Sequence, residues 1–359
     1  MMPVKSLICL GAGPSQIPVI IAAKKHGYGL IAIDRSTSAP GFSYADEGLV
    51  VSTHDSQACV ASVMGMQNAR KIVGILNRSS GPPVITAAIL NEALHIPGVP
   101  VSSARIAVHK HLLREEFATL KKNSPQYIIY PDIDVKSLPF PFPVIVKPSL
   151  SIVGKSGIRK VRDKEELDRA VALAEKVSIN GKVLVEEYIE GDDLSVIGII
   201  QDGQFSILSL MDELNHVTNR GDIKGRGFAL PSKFSGSTIG EKIKTVSHII
   251  SRQLGLVQTP FMASFRINES GNPILIEIHL DLGGDMLIEH LFPHSLSIDF
   301  LKIAIQLSAS EFIPPINMDV KAGAIFYEDG LGLNRERPFT LIAADSRLEL
   351  EKRIEENLT

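Results

Sequence analysis

The chain has 359 residues, which allows two or three domains, and a formal net charge of −3. Hydrophobic residues make up 44% and charged residues 21%, the composition of an ordinary soluble globular protein. Because this charge provides no overall basic field, neither nucleic acid nor a membrane is a predicted partner. The two cysteines, Cys9 and Cys59, are too few for a disulfide framework or a Cys-rich zinc site, which predicts a reducing, cytoplasmic location.

The N-terminal part of the chain alternates short apolar strands with helices. The first strand leads into a glycine-rich turn at 11–16, and the second ends at Asp34. This alternation predicts a parallel sheet covered by helices on both faces, a Rossmann-like domain over 1–100. The predicted strands are 5–10, 30–33, 49–51 and 72–76.

The glycine turn is similar to a dinucleotide-binding fingerprint, with one difference. Gly11 and Gly13 are present, but Gln16 replaces the third glycine of G-x-G-x-x-G. Two interpretations stay open, a tight turn that only opens the domain and an NAD(P) site. The missing glycine favours the structural interpretation.

A basic amphipathic helix is predicted next, over 102–122. Ser102 and Ser103 are candidates for its N-cap. Lys110 lies within the helix, either as a solvated charge or as a group facing a site.

The stretch 143–161 contains a β-branched strand, a turn with Ser and Gly, and a second β-branched segment. Lys147 and Lys155 flank the turn. This pattern predicts a hairpin whose ammonium and backbone N–H groups could neutralise a polyphosphate. The alternative is an ordinary exposed hairpin with solvated lysines.

The rest of the chain predicts further helices and strands. A helix is expected at 163–177 with Asp163 as its cap, and the strand at 182–189 becomes acidic at its end. A long basic loop with several glycines is expected over 215–237, either a mobile lid or an anion clamp, and it includes Arg226. The other predicted elements are a helix at 239–254, strands at 260–267 and 273–278, a helix at 286–308, a β subdomain containing 321–327 and 330–333, and a closing helix at 347–357.

Taken together, this order of elements resembles the ATP-grasp superfamily along nearly the whole chain. VIVKPSLSIVGKSGI resembles the hairpin that covers the phosphates, VLVEEYIEGDDLSV the strand that contacts adenine and ribose, and PILIEIHLDLGGDM the metal-bearing strand. The resemblance implies an N-terminal domain (1–100), a lid subdomain (101–190), a large subdomain (191–310) and a C-terminal subdomain (311–359). The amino-acid and dipeptide ligase branch is the most similar, and the resemblance also allows a homodimer.

The resemblance implies ATP and Mg²⁺ as cofactors, and a carboxylate and an amine as substrates that are joined through an acyl-phosphate. Three residues are implied or predicted to be catalytic: Lys155, Glu277 and, from the basic loop, Arg226. Glu277 would bind the metal, with His279 as an additional ligand. The predicted nucleotide-binding residues are Lys110, Lys147, Gly154, Lys155, Ser156, Gly157, Glu186, Glu187, Tyr188, Ile189 and Asp193. The resemblance implies that Glu186 accepts from the adenine amino group, that the backbone of 187–189 lines the base, and that Asp193 holds the ribose hydroxyls.

Three positions differ from the family pattern. Ser264 stands where a second acidic metal ligand is usual, His279 where asparagine is usual, and Asp281 where arginine is usual. These differences leave two hypotheses open, an active ligase and an ATP-grasp protein that binds nucleotide without catalysis.

Overall fold

A computed structural model of the chain describes residues 4–66, 71–120, 123–132, 138–151, 155–284, 286–327 and 338–358. The first of its three sheets has four parallel strands in the order β3-β2-β1-β4. The two central strands are almost completely buried because helices cover both faces, which explains their continuous apolar sequence. The predicted Rossmann-like domain is therefore confirmed. Its elements are β1 (Lys5–Leu10), α1 (Ile17–Lys25), β2 (Gly29–Asp34), β3 (Glu47–Val50), α2 (Ser56–Met64), β4 (Lys71–Asn77) and α3 (Pro82–Ala93).

The predicted basic helix is two helices, α4 (Val101–Val108) and α5 (Lys110–Glu116). They separate at His109, whose backbone is extended (φ −98°, ψ 108°). Ser103 was wrong as a cap, because its hydroxyl donates to the carbonyl of Leu254 and the N-cap position is occupied by Pro100. The break places Lys110 at the start of a separate helix.

The second sheet has four strands in the order β5-β8-β6-β7. Its strands β6 and β7 are antiparallel, so the predicted hairpin is confirmed. Asp163 caps the covering helix by accepting from the backbone N–H of Glu166, as predicted. The elements are β5 (Tyr127–Tyr130), β6 (Val144–Pro148), β7 (Arg159–Val161), α6 (Lys164–Val177) and β8 (Val183–Glu187).

The third sheet has seven strands in the order β13-β12-β9-β10-β11-β14-β15. The predicted long loop at 215–237 was wrong, because 11 of its 23 residues belong to two strands of this sheet joined by a short turn. Glycine here serves close packing: a Cβ at Gly227 would lie 1.9 Å from the carbonyl oxygen of Ile325 on the neighbouring strand. The elements are β9 (Gly191–Gln201), β10 (Gln204–Val217), β11 (Ile223–Leu230), α7 (Thr238–Gln253), β12 (Thr259–Asn268) and β13 (Pro273–His279).

The C-terminal part completes this third sheet. The predicted single helix at 286–308 is interrupted, and its last segment begins after Asp299, which accepts from the backbone N–H of Lys302. The predicted C-terminal strand 321–327 is confirmed and pairs with β11, whereas 330–333 lies outside the described residues. The elements are a π-helical turn (Leu287–Leu291), α8 (Phe292–Leu296), α9 (Phe300–Ser308), β14 (Ala322–Tyr327), β15 (Phe339–Ala344) and α10 (Arg347–Leu358).

Both cysteines are free and completely buried, consistent with packing roles. Among the helices in the described part of the chain, none combines the length and apolar character needed to cross a membrane. The division of the chain into four parts stays a prediction.

Candidate active site

A cleft of about 780 Å³ lies between the second and third sheets. It is lined by nine of the predicted site residues: Lys110, Lys147, Lys155, Glu186, Glu187, Tyr188, Ile189, Asp193 and Glu277. The chain folds so that the hairpin strand β6, the end of β8, the start of α5 and the end of β13 meet here. The predicted residue Gly154 lies outside the described residues.

One wall of the cleft contains a buried ion triad. Glu186 accepts from Arg114 Nε at 2.8 Å and lies 2.7 Å from Lys147 Nζ, and all three side chains are almost completely buried. Burial opposes the charge of Lys147 more strongly than Glu186 supports it, which lowers the pKa of Lys147 to about 8. Arg114 and Lys147 outweigh the effect of burial on Glu186 and lower its pKa.

The sequence did not reveal Arg114. It lies four residues after Lys110, so both occupy one face of α5, and this spacing in a basic helix was the available signal. Arg114 also donates to the carbonyl of Ile276 at 3.0 Å, which ties the triad to β13. Glu186 was predicted to accept from adenine, but both of its oxygens already contact Arg114 or Lys147. The geometry favours a role in holding Lys147.

The segment predicted to line adenine borders the cleft. The backbone N–H groups of Glu187 and Tyr188 donate to the carbonyls of Gln126 and Pro143, so a bound base would use other main-chain groups of the segment. Asp193, predicted to bind ribose, accepts from Asn215 Nδ2 at 2.9 Å and lies 3.6 Å from Arg266 Nη1. Burial raises the pKa of Asp193 despite that guanidinium.

The hairpin touches the third sheet through Lys155 and β7. Lys155 has φ +60° and donates to the side-chain oxygen of Asn215. The backbone N–H of Lys160 donates to the carbonyl of Gly221 in the β10–β11 turn, at 2.8 Å. Gly157 lies between β6 and β7, in the turn that contains Lys155. Its φ is +73°, and a Cβ there would come within 2.6 Å of Val177. The hairpin therefore lies over the cleft.

Glu277 occupies the opposite wall between two cationic groups. Its carboxylate oxygens lie 3.3 Å from Lys110 Nζ and 3.3 Å from His279 Nε2. Although burial acts in the other direction, Lys110 and His279 hold the pKa of Glu277 well below its usual range. Burial disfavours charge on His279 too, but Glu277 overrides it and raises the pKa of His279 to about 9.

These groups suit Mg²⁺ in part. Mg²⁺ prefers oxygen ligands, usually one or two carboxylates together with substrate phosphates, and Glu277 provides one such group. His279 Nε2 faces the Glu277 carboxylate at 3.3 Å, and its role as a further metal ligand stays a prediction. In the part of the chain that the structure describes, no three His, Cys, Asp or Glu side chains form a metal cage.

The third sheet brings a further carboxylate, Glu213, to the cleft. It accepts from Ser195 Oγ at 2.5 Å and from Ser264 Oγ at 2.7 Å, and Lys155 Nζ lies 3.9 Å away. Glu213 was not among the predicted site residues, because the serines that contact it are distant in the chain. The only local signal was a polar DELN segment within an apolar strand.

Arg226 does not line this cleft. It lies on β11 next to Gly225, where a Cβ would be 3.0 Å from Lys155 Nζ. Strand β11 has a bulge at this point, because Leu214 pairs with Gly227 and Asn215 with Gly225, so Arg226 is the extra residue. The catalytic role of Arg226 stays a prediction.

Asp281 has a structural role where the resemblance suggested a substrate-binding arginine. Its oxygens accept from the backbone N–H of Gly283 at 2.8 Å and from Ser80 Oγ at 3.4 Å. Arg78, from the end of β4, brings a guanidinium to the same place, donating to the carbonyl of Gly283 at 3.1 Å and pairing with Glu289. A cation is thus supplied from the N-terminal domain.

The N-terminal glycine turn is filled by protein groups. Asp34 accepts from the backbone N–H of Ala12 at 2.9 Å, and the side chain of Gln16 lies 3.0 Å from the position of a Cβ at Gly11. In a dinucleotide site, the acid would bind ribose and the space over the glycines would hold pyrophosphate. This geometry supports the structural interpretation of the turn.

Comparison with known proteins agrees with this geometry. Residues 140–289 match the family model described as the ATP-grasp domain. A formate-dependent phosphoribosylglycinamide formyltransferase of Prochlorococcus marinus is 26% identical over 270 residues, covering 70% of this chain and 63% of that protein. One from Methanocaldococcus jannaschii is 27% identical over 194 residues, covering 52% of this chain and 48% of that protein. The chain thus spans about half to just under two thirds of these relatives.

Solved structures are similar over almost the full chain. An L-amino acid ligase from Bacillus licheniformis has a TM-score of 0.77 at 17% identity, covering 99% of this chain and 97% of that one. An N5-carboxyaminoimidazole synthetase from Staphylococcus aureus, complexed with ADP, has a TM-score of 0.76 at 14% identity, covering 99% and 97%. At such identities the likeness shows the fold. Together with the match to the family model, it shows that the chain contains an ATP-grasp domain over residues 140–289.

Proposed function

We propose that this protein is an ATP-dependent ligase that joins a carboxylate to an amine through an acyl-phosphate and releases ADP and phosphate. The main support is the cleft itself, in which Lys110, Lys147 and Lys155 converge with the carboxylate of Glu277. Three ammonium groups at one place suit a polyphosphate, and an adjacent carboxylate suits its divalent cation. The names of the similar proteins include ligase, synthetase and formyltransferase activities.

The chemistry follows from the charges. An oxygen of the carboxylate substrate attacks the γ-phosphorus of ATP, the bond between that phosphorus and the β–γ bridging oxygen breaks, and ADP leaves. The amine then attacks the acyl carbon, loses a proton, and phosphate leaves. Mg²⁺, when bound, would neutralise phosphate charge, and Glu277 would hold it. Lys110, Lys147 and Lys155 would position the phosphates, which is most of what phosphoryl transfer needs from a protein.

The hairpin has a protective role in this proposal. An acyl-phosphate hydrolyses if water reaches it, so a cover over the cleft is required. The contacts of β7 with the β10–β11 turn support such a role for the hairpin. The carboxylate substrate would enter on the side of Arg78 and Asp281, where a cationic group from the N-terminal domain meets the end of β13.

The test has two stages. ATP binding is measured by calorimetry with and without Mg²⁺, and ADP release is then measured over a panel of small carboxylic acids, each combined with a panel of amines. We expect micromolar ATP binding and turnover that requires both substrates. Absence of nucleotide binding in folded protein would contradict the proposal.

Ser264 and Asp281 favour a second candidate, an ATP-grasp protein that binds nucleotide without catalysis. Ser264 removes one expected metal ligand, and the Asp281 carboxylate is bound to a turn and to Ser80. Nucleotide binding without ADP release for any acid and amine would support this candidate. ADP release that disappears in a folded Glu277→Gln variant would exclude it.

A further inference from the structure

The third sheet contains a row of three residues that face one another across neighbouring strands. Glu277 on β13 pairs with Ser264 on β12, and Ser264 pairs with Ser195 on β9. Directly opposed residues in antiparallel strands have Cβ atoms about 5 Å apart, so an acid at 264 would place its carboxylate beside that of Glu277. In this chain the position holds a hydroxyl.

The carboxylate that reaches this row comes from the next strand, β10. Oε1 of Glu213 accepts from both serines, at 2.5 Å from Ser195 and 2.7 Å from Ser264. Oε2 accepts from Asn215 Nδ2 at 3.2 Å. The side chain is only 10% exposed, yet Glu213 lines the same cleft as Glu277 and Lys155. The two hydroxyls therefore hold a nearly buried carboxylate in a fixed orientation at the wall of the cleft.

We propose that Glu213 replaces the acid missing at position 264 and acts, with Glu277, as an oxygen ligand for the divalent cation that enters with the nucleotide. This inference rests on the proposed ATP site. Ser195 and Ser264 are positioning residues, because each donates its proton to Oε1 and so fixes the direction of the carboxylate. Oε2 faces Asn215 and Lys155, on the phosphate-binding side.

The competing explanation gives Glu213 only the task of orienting Lys155. The contact is loose for that purpose: Lys155 Nζ is 3.9 Å from Glu213, whereas it donates directly to the side-chain oxygen of Asn215. Asn215 therefore already orients Lys155. An ion pair at 3.9 Å does not need a carboxylate that two serine hydroxyls hold in place. A metal ligand does, because its oxygen must be oriented toward the cation.

The experiment compares wild type with Glu213→Gln, which keeps the size of the side chain and removes its charge. Mn²⁺ affinity is measured by electron paramagnetic resonance at saturating non-hydrolysable ATP analogue, and analogue affinity is measured separately in EDTA. We expect Mn²⁺ affinity to fall about 10- to 100-fold, the range for lost metal-site groups. Affinity in EDTA should stay the same or rise, because a negative charge near the phosphates is removed.

Glu241→Gln is the matched control. Glu241 lies on α7, is 64% exposed and pairs with Lys244 at the surface, so this variant should bind Mn²⁺ and analogue as wild type does. A second variant combines Glu213→Gln with Ser264→Glu, which moves the carboxylate to the usual strand. We expect it to regain most of the lost Mn²⁺ affinity.

The outcomes separate the explanations. If Glu213→Gln weakens analogue binding in EDTA and leaves Mn²⁺ affinity unchanged, Glu213 serves only to orient Lys155 and the inference is overturned. A folded double variant that does not regain Mn²⁺ affinity would also overturn it. Unchanged Mn²⁺ binding in Glu213→Gln would overturn this inference alone. A folded wild type that binds no analogue would overturn the proposed function and this inference together. Circular dichroism and melting curves establish folding for each variant.

Discussion

The two walls of the cleft arrange charge in different ways. On the hairpin side, Lys147, Glu186 and Arg114 form a buried triad in which every charge is paired before any ligand arrives. On the sheet side, Glu277 lies 3.3 Å from both Lys110 and His279, and its side chain is 27% exposed. The first wall therefore has its charges buried, whereas the second leaves the Glu277 carboxylate partly exposed in the cleft.

The largest effect is expected for a substitution on the sheet side of the cleft. Glu277→Gln removes the carboxylate next to Lys110 and His279, and we expect ADP release to fall about 100- to 1,000-fold, as for loss of one group that stabilises transition-state charge. Steady-state kinetics with the acid and amine identified in the panel measure this loss. Metal-free ATP binding should remain, and equal loss of ATP binding would contradict the assignment.

Lys147→Ala tests the hairpin wall. Removing Lys147 takes one donor from the buried Glu186 carboxylate and leaves a gap where the lysine packed, and because Arg114 still pairs with Glu186 we expect a loss of about 2 kcal/mol of stability. ATP affinity should also fall roughly 10- to 100-fold, since a charge-assisted contact is lost. Urea unfolding and calorimetry measure the two effects. A variant as stable as wild type would show that the triad is not coupled to folding.

Lys155→Ala tests a cleft lysine that is not part of the triad and whose side chain is 31% exposed. We expect ATP affinity to fall about tenfold, while stability changes by no more than about 0.5 kcal/mol. The same two measurements apply. A large loss of stability would mean that the hairpin contact with Asn215 supports the fold.

The smallest effect is a dependence on pH. The pKa of Lys147 is lowered to about 8, so the ammonium is present below this pH and is lost above it. Because the nucleotide no longer titrates well above pH 6, metal-free ATP affinity should decrease roughly three- to fivefold between pH 7.5 and 9. Calorimetry at several pH values measures this. Lys147→Arg, which stays charged, should lack the decrease.

The same pKa shift predicts how the contribution of Lys147 to folding stability changes with pH. Lys147 binds fewer protons in the folded state than in the unfolded state between pH 8 and about 10.5, so its contribution to stability improves as pH rises through this window. ATP binding and stability should therefore change in opposite directions above pH 8. Parallel changes would contradict the assignment of the titration to Lys147.

The sequence predicted the hairpin side of the cleft better than the sheet side. Lys147 and Lys155 are close in the chain, and a hairpin brings neighbouring residues together by local geometry alone. Glu213 and Ser264 are separated by 51 positions and Ser195 and Ser264 by 69, so only the order of strands in the sheet brings them into contact. Local pattern also failed for 215–237, where glycines that suggested a loop permit close strand packing.

By itself, the sequence determined the parallel N-terminal sheet, the hairpin within 143–161 and the placement of Glu277 at a strand end, because periodicity and turn residues act over a few positions. Only the tertiary structure decided that Arg114 binds Glu186 and that Glu213 reaches the serine at position 264. These contacts depend on strand order, register and side-chain direction, which are fixed when the sheets assemble.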